Sequence, residues 1–264
     1  MKIAIVARDH ETIDHPQFLS MRRTLERDGV QTEIISAPIQ PGSYDFVLSV
    51  GGDGTMLSAV GLVRDSGVPL VGINFGHLGF LTTLGSEDTA TLASDLRAGR
   101  YTIESHTLLR CNVDAGADLA VLNEVSLHRC LDGPLLRTRV SVDGRYVATY
   151  IGDGLIVATP TGSTAYSMSC GGPILTPNSG CFVITPVGSH SLTLRPIIVP
   201  DTARITLQTS PEGQPFYLSA DSEHRLLNPG TTVSLERENF SVNIVRMGSQ
   251  HFFSAIHEKL SWDA

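Results

Sequence analysis

At 264 residues the chain has the length of one large or two modest domains. Its 41% hydrophobic against 17% charged residues describe a chain with apolar surface for a sizeable core rather than a disordered one. A formal charge of −8 excludes nucleic acid and anionic membrane surfaces as main partners, since both are held through basic patches. The opening Lys2-Ile3-Ala4-Ile5-Val6-Ala7-Arg8 is too short and too early charged for a signal peptide, and no apolar run has bilayer length, so the expectation is a cytoplasmic protein with no membrane role. Cys111, Cys130, Cys170 and Cys181 have no CxxC spacing and no histidine set at zinc-like intervals, so reduced thiols are expected. Any phosphate site in so acidic a chain must be local, built from backbone N–H groups with the help of a metal ion.

In chain order, Lys2 to Ala7 reads as a buried strand, Pro16 to Asp28 as a helix ended by Gly29, Val30 to Ser36 as a second strand, and Asp45 to Val50 as a third. That third strand runs into Gly51-Gly52-Asp53-Gly54-Thr55, after which Met56, Leu57, Val60 and Val63 predict one face of a helix. Pro69 to Phe75 is the next apolar run. Ser86, followed by Glu87 and Asp88, predicts a capped helix that Gly99 stops. Alternating strands and helices of this kind build a parallel sheet.

Past Gly99 the period drops to two. Thr138 to Val142 and Arg145 to Val147 flank Asp143-Gly144, a strong hairpin signal. Further strands are predicted at Gly154 to Ala158, Phe182 to Pro186, Arg204 to Thr209, Thr231 to Glu236 and Ser241 to Val245. The fold class is therefore α/β plus all-β. A Rossmann-like domain over 1–99 is completed by 249–264, and a β-rich, sandwich-like domain covers 100–248. The closing segment puts Phe252, Phe253, Ile256 and Leu260 on one face of a short helix that packs back on a domain surface.

Three stretches carry candidate chemistry. The Gly51 to Thr55 turn lies between strand and helix, where glycines let the backbone approach phosphate oxygens. A carboxylate in such a cradle repels phosphate unless it binds a magnesium ion or takes a proton from an acceptor hydroxyl, and both roles belong to phosphoryl transfer. For a bare Gly-Asp-Gly an ordinary turn with Asp53 capping the helix is the commoner case, and five consecutive residues at a strand end shift that balance. The run Gly152-Asp153-Gly154 through Thr159-Pro160-Thr161-Gly162-Ser163-Thr164-Ala165-Tyr166-Ser167 places an acid, a buried strand, and a hydroxyl-rich turn closed by an aromatic ring. It suits a purine and its ribose, and it also suits a loop whose hydroxyls satisfy its own backbone. Asn123-Glu124 offers an amide and a carboxylate fit for a ribose diol, or a solvated strand end. For His77 and His190, turn or cap roles are the default.

Together these residues resemble the bacterial NAD kinase family. The matching segments are Gly51 to Thr55, Gly76-His77-Leu78-Gly79-Phe80-Leu81, Asn123-Glu124, Gly152 through Tyr166 to Gly172-Pro173-Ile174, and His190-Ser191-Leu192 with Arg195-Pro196, in the family's order. The first is also carried by phosphofructokinases and by the diacylglycerol and sphingosine kinases; the long one is specific. The resemblance implies an enzyme that uses ATP, or another donor, and a divalent metal, expected to be Mg2+, to phosphorylate the 2′-hydroxyl of NAD. It implies catalysis by Asp53, phosphate binding by Gly51, Gly52, Gly54 and Thr55, and dinucleotide binding by Asp53, Gly54, Asn123, Glu124, Asp153, Thr161, Thr164, Ala165, Tyr166, Ser167, Met168, Ser169 and Asp221. No protein metal ligand is assigned. A homotetramer, or a dimer, is implied, with the pocket partly across a subunit interface.

Two departures stand out. Glu223 follows Asp221-Ser222 where many members carry glutamine, and Gly188-Ser189 precedes His190 where proline is common. The alternatives are a lipid kinase, which should show a basic or apolar membrane-facing surface, and a non-catalytic dinucleotide sensor, against which an intact Asp53 argues.

Overall fold

The computed structural model describes residues 1–76, 79–82, 84–114, 116, 118–248 and 251–262. The chain divides into two compact units, Met1–His106 with Ser241–Ala264, and Thr107–Phe240. The boundaries read from sequence were 99/100 and 248/249.

In the first unit, β1 (Lys2–Ala7) buries its four central residues, as a strand covered on both faces must. A short helix that the periodicity does not announce, α1 (His10–Asp14), follows, with Asp9 capping it through Thr12 N–H at 2.8 Å. Pro16 opens α2 (Pro16–Arg27), which buries Phe18, Met21 and Leu25 and stops before Gly29 at φ +73°. Then come β2 (Gln31–Ile34), β3 (Phe46–Val50), α3 (Asp53–Val63) and β4 (Leu70–Ile73). On α3 the buried face is Thr55, Met56, Ala59, Val60 and Val63, and the expected Leu57 is half-buried, about 100° round from Met56.

The segment predicted as a single helix from Ser86 is a 3₁₀ turn at Glu87–Ala90 followed by α4 (Leu92–Arg97). Ser86 is itself helical at φ −65° and makes no side-chain cap, because an N-cap needs extended backbone. Asp88 takes the Gly85 N–H instead, at 2.8 Å. The strands pair in parallel in the order β2-β1-β3-β4.

β5 (Tyr101–Val113) leads into the second unit, where β6 (Leu119–Val121), β7 (Glu124–Arg129), β8 (Leu136–Val142), β9 (Arg145–Gly152) and β10 (Gly154–Ala158) follow. The hairpin between β8 and β9 turns at Asp143 and Gly144 with φ of +50° and +74°, the backbone of a type I′ turn. After a 3₁₀ turn at Gly162–Thr164 come α5 (Tyr166–Ser169), β11 (Cys181–Val187), β12 (Ile197–Pro200), β13 (Ile205–Thr209), β14 (Phe216–Ala220), β15 (Glu223–Leu227) and β16 (Thr232–Met247). One sheet runs β12-β11-β10-β7-β14-β15, antiparallel throughout. A second layer pairs β16, β13, β8 and β9, also antiparallel. Leu127, Leu155, Phe182 and Phe216 from the first meet Val140, Ile205, Leu207 and Val233 from the second in one buried cluster.

Two expected strands, Thr231 to Glu236 and Ser241 to Val245, are one. The polar stretch between them contains no Gly or Pro to break the ladder. The end of β16 belongs to the first unit, where Ile244 lies parallel to Leu70. It is followed by α6 (Phe252–Leu260), opened by a His251–Ser254 capping box. Ile256 is its buried residue and Phe253 is 57% exposed, one residue off the expected face.

The inner face of the sandwich is tightly filled at Phe182, which has no exposed surface. Phe182→Ala should lower stability by roughly 3–5 kcal/mol in urea denaturation with an unchanged m-value.

Candidate active site

The strand order β2-β1-β3-β4 reverses direction between β1 and β3, and the crevice outside the carboxyl ends of strands at such a reversal is where open α/β sheets bind ligands. The Gly51 to Thr55 turn lies there. Gly51 has φ +150°, and a Cβ on it would collide with Thr55 Oγ1 and come within 3.3 Å of Arg8 Cβ. Gly54 faces open space. A cavity of about 260 Å3 is lined by Arg8, Gly52, Gly54, Thr55 and Ser58. Arg8, which directly follows the apolar run of β1, is a residue that sequence reasoning missed.

Asp53 does not cap α3: the N-cap is Gly52, and Asp53 is the first helical residue. Its carboxylate turns onto the loop after β4. Oδ2 accepts the Phe80 N–H at 2.9 Å, and Oδ1 accepts the N–H groups of Leu81 and Thr82 and the Thr82 hydroxyl at 3.2, 3.1 and 3.0 Å. Gly79 has to be glycine, since a Cβ there would strike this carboxylate. Each carboxylate oxygen offers two lone pairs, so Oδ1 is fully used and, among the described residues, one lone pair of Oδ2 has no donor. The neighbouring His77 and Leu78 lie outside the described residues.

The loop is also held from behind. Arg246, 7% exposed, donates from Nη1 to the Phe80 carbonyl at 3.1 Å and from Nε to Glu104 Oε2 at 2.7 Å. His106 Nε2 stands 3.6 Å from the same carboxylate. Burial would push the Glu104 carboxyl up, but His106 and Arg246 outweigh it and hold it at about 2.

In the second unit Asp221 repeats the device. With its backbone at φ +49°, it accepts the N–H groups of Leu122, Asn123 and Glu124 at 2.7, 2.9 and 3.3 Å. The side chain named as a dinucleotide contact is thus engaged in shaping the Asn123-Glu124 turn. The Thr159 hydroxyl donates to the Leu122 carbonyl, and Thr159 N–H to that of Asn123 at 2.9 Å, so the hydroxyl-rich turn is fastened to the same segment. Glu124 Oε2 is buried without a hydrogen-bond partner among the described residues. Burial, and then the Asp221 charge, raise its carboxyl to about 7.

The hydroxyl-rich run divides between structure and access. Ser163 and Thr164 donate to the carbonyls of Pro160 and Thr161, and Ser167 is fully buried against the Thr185 hydroxyl at 2.8 Å. Thr161, Ala165 and Met168 are half-buried, and Tyr166 and Ser169 are exposed. The Tyr166 ring meets His128 at 5.5 Å, and burial lowers the His128 pKa. Asp153 pairs with Arg129 Nε at 2.6 Å. His128 and Arg129 had no sequence signal beyond their place at the end of β7. The structure thus groups Gly51 to Thr55 in the first unit, and Asn123, Glu124, Asp153, Thr161, Thr164 to Ser169 and Asp221 in the second.

Residues 7–101 match the ATP-NAD kinase N-terminal domain and residues 122–247 the ATP-NAD kinase C-terminal domain. Curated relatives named NAD kinase include one from Flavobacterium psychrophilum, 39% identical over 83% of this chain and 76% of its own length. Another, from Cytophaga hutchinsonii, is 36% identical over 84% and 77%. Among solved structures, an NAD kinase from Archaeoglobus fulgidus in complex with ATP matches at TM-score 0.81, with 25% identity and 99% of each chain covered. Yeast NADH kinase complexed with NADH matches in fold at TM-score 0.87, with 22% identity over 100% of this chain and 88% of the other.

Two outcomes follow from the buried carboxylates. The Glu124 carboxyl is raised in the fold, so its cost appears as pH climbs from about 4.5 through about 7. Glu124→Gln should therefore raise thermal stability at pH 8, by up to about 3 kcal/mol, with the gain fading as pH falls to about 4. Glu104 is depressed, so its contribution is present above its ordinary value and is lost as pH falls towards about 2. Arg246→Met should cost roughly 3–5 kcal/mol at neutral pH by stranding that buried charge, and the loss should shrink on acidification.

Proposed function

Because the chain belongs to the NAD kinase family, we propose that it transfers the γ-phosphoryl group of a nucleoside triphosphate to the 2′-hydroxyl of the adenosine ribose of NAD, giving NADP. The observation that carries the residue assignment is the Asp53 carboxylate, fixed by the hydrogen bonds of Phe80, Leu81 and Thr82 with one Oδ2 lone pair left. In this reading that lone pair accepts the 2′-hydroxyl and aims its oxygen at the γ-phosphorus. The 2′-oxygen forms the new P–O bond, the β–γ bridging bond breaks with its electrons leaving on the nucleoside diphosphate, and the hydroxyl proton passes to Asp53 Oδ2. Any carboxylate is a weak base, so the larger contribution of Asp53 is to orient the hydroxyl.

The backbone of Gly51, Gly52, Gly54 and Thr55 receives the phosphates at the start of α3. In the second unit, the buried unpartnered Glu124 Oε2 suits a ribose hydroxyl that would satisfy it, with Asn123 beside it. Tyr166, Ala165, Thr161, Thr164, Met168, Ser169 and Asp153 line the rest of the dinucleotide site, and Ser167 and Asp221 act by holding its walls.

Among the described residues no three His, Cys, Asp or Glu side chains cluster as a metal cage. Mg2+ bound chiefly through phosphate oxygens and water needs no such cage, so these residues fit a metal that arrives with the triphosphate and neutralises its charge. The same reading makes the protein a cytoplasmic homo-oligomer, a tetramer or a dimer. Among the described residues no helix is long and apolar enough to cross a membrane.

Asp53→Asn tests the assignment. An asparagine can keep its oxygen towards Leu81 and Thr82, but its amide then faces the Phe80 N–H, so melting temperature and NAD binding are measured beside turnover. Turnover in a coupled NADP assay should fall on the order of a hundredfold or more, with NAD still bound. Near wild-type turnover would remove Asp53 from the chemistry.

A further inference from the structure

β4 carries a glycine at its third position, Gly72, which is buried and has no positive φ. A glycine inside a strand gives up side-chain packing, and a common reason is the close approach of another backbone. Here that backbone is the loop that holds Asp53. A Cβ on Gly72 would lie 2.6 Å from the Leu81 carbonyl oxygen, 2.8 Å from Thr82 Cα and 2.7 Å from Met56 Cε. Met56 can turn its methyl aside, but the other two are main-chain atoms of the residues whose N–H groups bind Asp53 Oδ1. The loop also returns to the same strand, with Leu84 N–H donating to the Gly72 carbonyl at 3.2 Å and Asn74 N–H to the Leu84 carbonyl at 2.9 Å.

We propose that Gly72 is a positioning residue for the phosphoryl transfer: the notch left by its missing side chain sets how deeply Leu81 and Thr82 seat on the sheet and, through their N–H groups, where Asp53 presents Oδ2. The inference rests on the kinase reading and adds to it the part of the fold that aims the carboxylate. Asp53 and Arg246 grip the loop through hydrogen bonds, which tolerate a few tenths of an ångström in length. Gly72 acts on it by shape, which tolerates less. Carbon atoms in contact stand about 3.5–4.0 Å apart, so a methyl group on Gly72 drives the Leu81–Thr82 backbone outward by roughly 1 Å. The carboxylate then either follows the N–H groups or loses them, and in both cases Oδ2 leaves its place. A displacement of that size near the reacting atoms is worth on the order of a hundredfold in rate.

Gly72→Ala tests this, since alanine adopts strand backbone without strain. Turnover should fall on the order of tenfold to a hundredfold, with little change in the KM for NAD, which the proposed reading holds mainly through the second unit. Thermal melts establish that the variant folds. Paired with Met56→Leu, a volume-conserving change that has no ε-methyl, it is relieved on the helix side and only the loop has to move. A glycine needed for packing alone is told apart by the Asp53→Asn background, where Gly72→Ala should lower kcat no further, because changes within one unit do not add. Wild-type kcat in the folded variants overturns the proposal, as does an equal fold-loss in both backgrounds. Hydrogen exchange at the Phe80, Leu81 and Thr82 amides reads the seat without activity: it should quicken in Gly72→Ala, and unchanged exchange overturns the proposal. If the wild type makes no NADP from any donor, the kinase reading falls alone, and the exchange measurement still decides whether Gly72 seats the loop.

Discussion

An aspartate carboxylate that accepts consecutive backbone N–H groups organises each half of this protein. Asp53 does so for Phe80, Leu81 and Thr82, and Asp221 for Leu122, Asn123 and Glu124. A loop with its N–H groups converging has no strand partner to satisfy them, and leaving such donors buried costs free energy that an anion removes. The carboxylate in turn gains a fixed orientation. The two uses differ in what remains. Among the described residues Asp53 keeps one Oδ2 lone pair without a donor at the mouth of a strand–helix turn, whereas burial raises the Asp221 pKa against the three N–H groups that lower it, and its work is structural.

An acidic chain is no obstacle to the proposed phosphate site. Net charge governs the long-range field, but contact with phosphate is settled within a few ångströms by N–H dipoles and single cations. Arg8 stands beside Gly51 at the carboxyl end of β1, and Arg246 is turned inward, bound to Glu104 and the Phe80 carbonyl. The buried arginine therefore supports the loop on which Asp53 depends, while the exposed one is available to a ligand.

Much of the fold was legible because its signals are local. The apolar run at β1, the Pro16 and Gly29 punctuation of α2, the Asp143-Gly144 turn and the period-two alternation of β8 each determine their element without help from distant residues. The errors share a cause as well. Ser86 resembles a cap, but Asp88 closes that turn from two residues away, and the polar middle of β16 resembles a break although the ladder on its neighbours carries it through. α1 is a single turn held by Asp9, too short to show a period.

The candidate site is picked out in sequence by residue identity and much less by role. Gly51 to Thr55, Asn123-Glu124 and the run to Ser169 are the candidate stretches, yet sequence treats every hydroxyl in that run alike. Packing separates them: Ser167 faces Thr185 inside the core, while Tyr166 stands at the surface beside His128. The same limit applies to the acids. Asp53, Asp221, Glu104 and Glu124 are all partly or largely buried carboxylates. What distinguishes them is the partner each meets, respectively a loop with a vacant lone pair beside it, a turn, a buried arginine, and nothing in the case of Glu124 Oε2. An unpartnered buried oxygen is unfavourable in the folded chain by itself, and under the proposed reading a ribose hydroxyl would supply the missing donor.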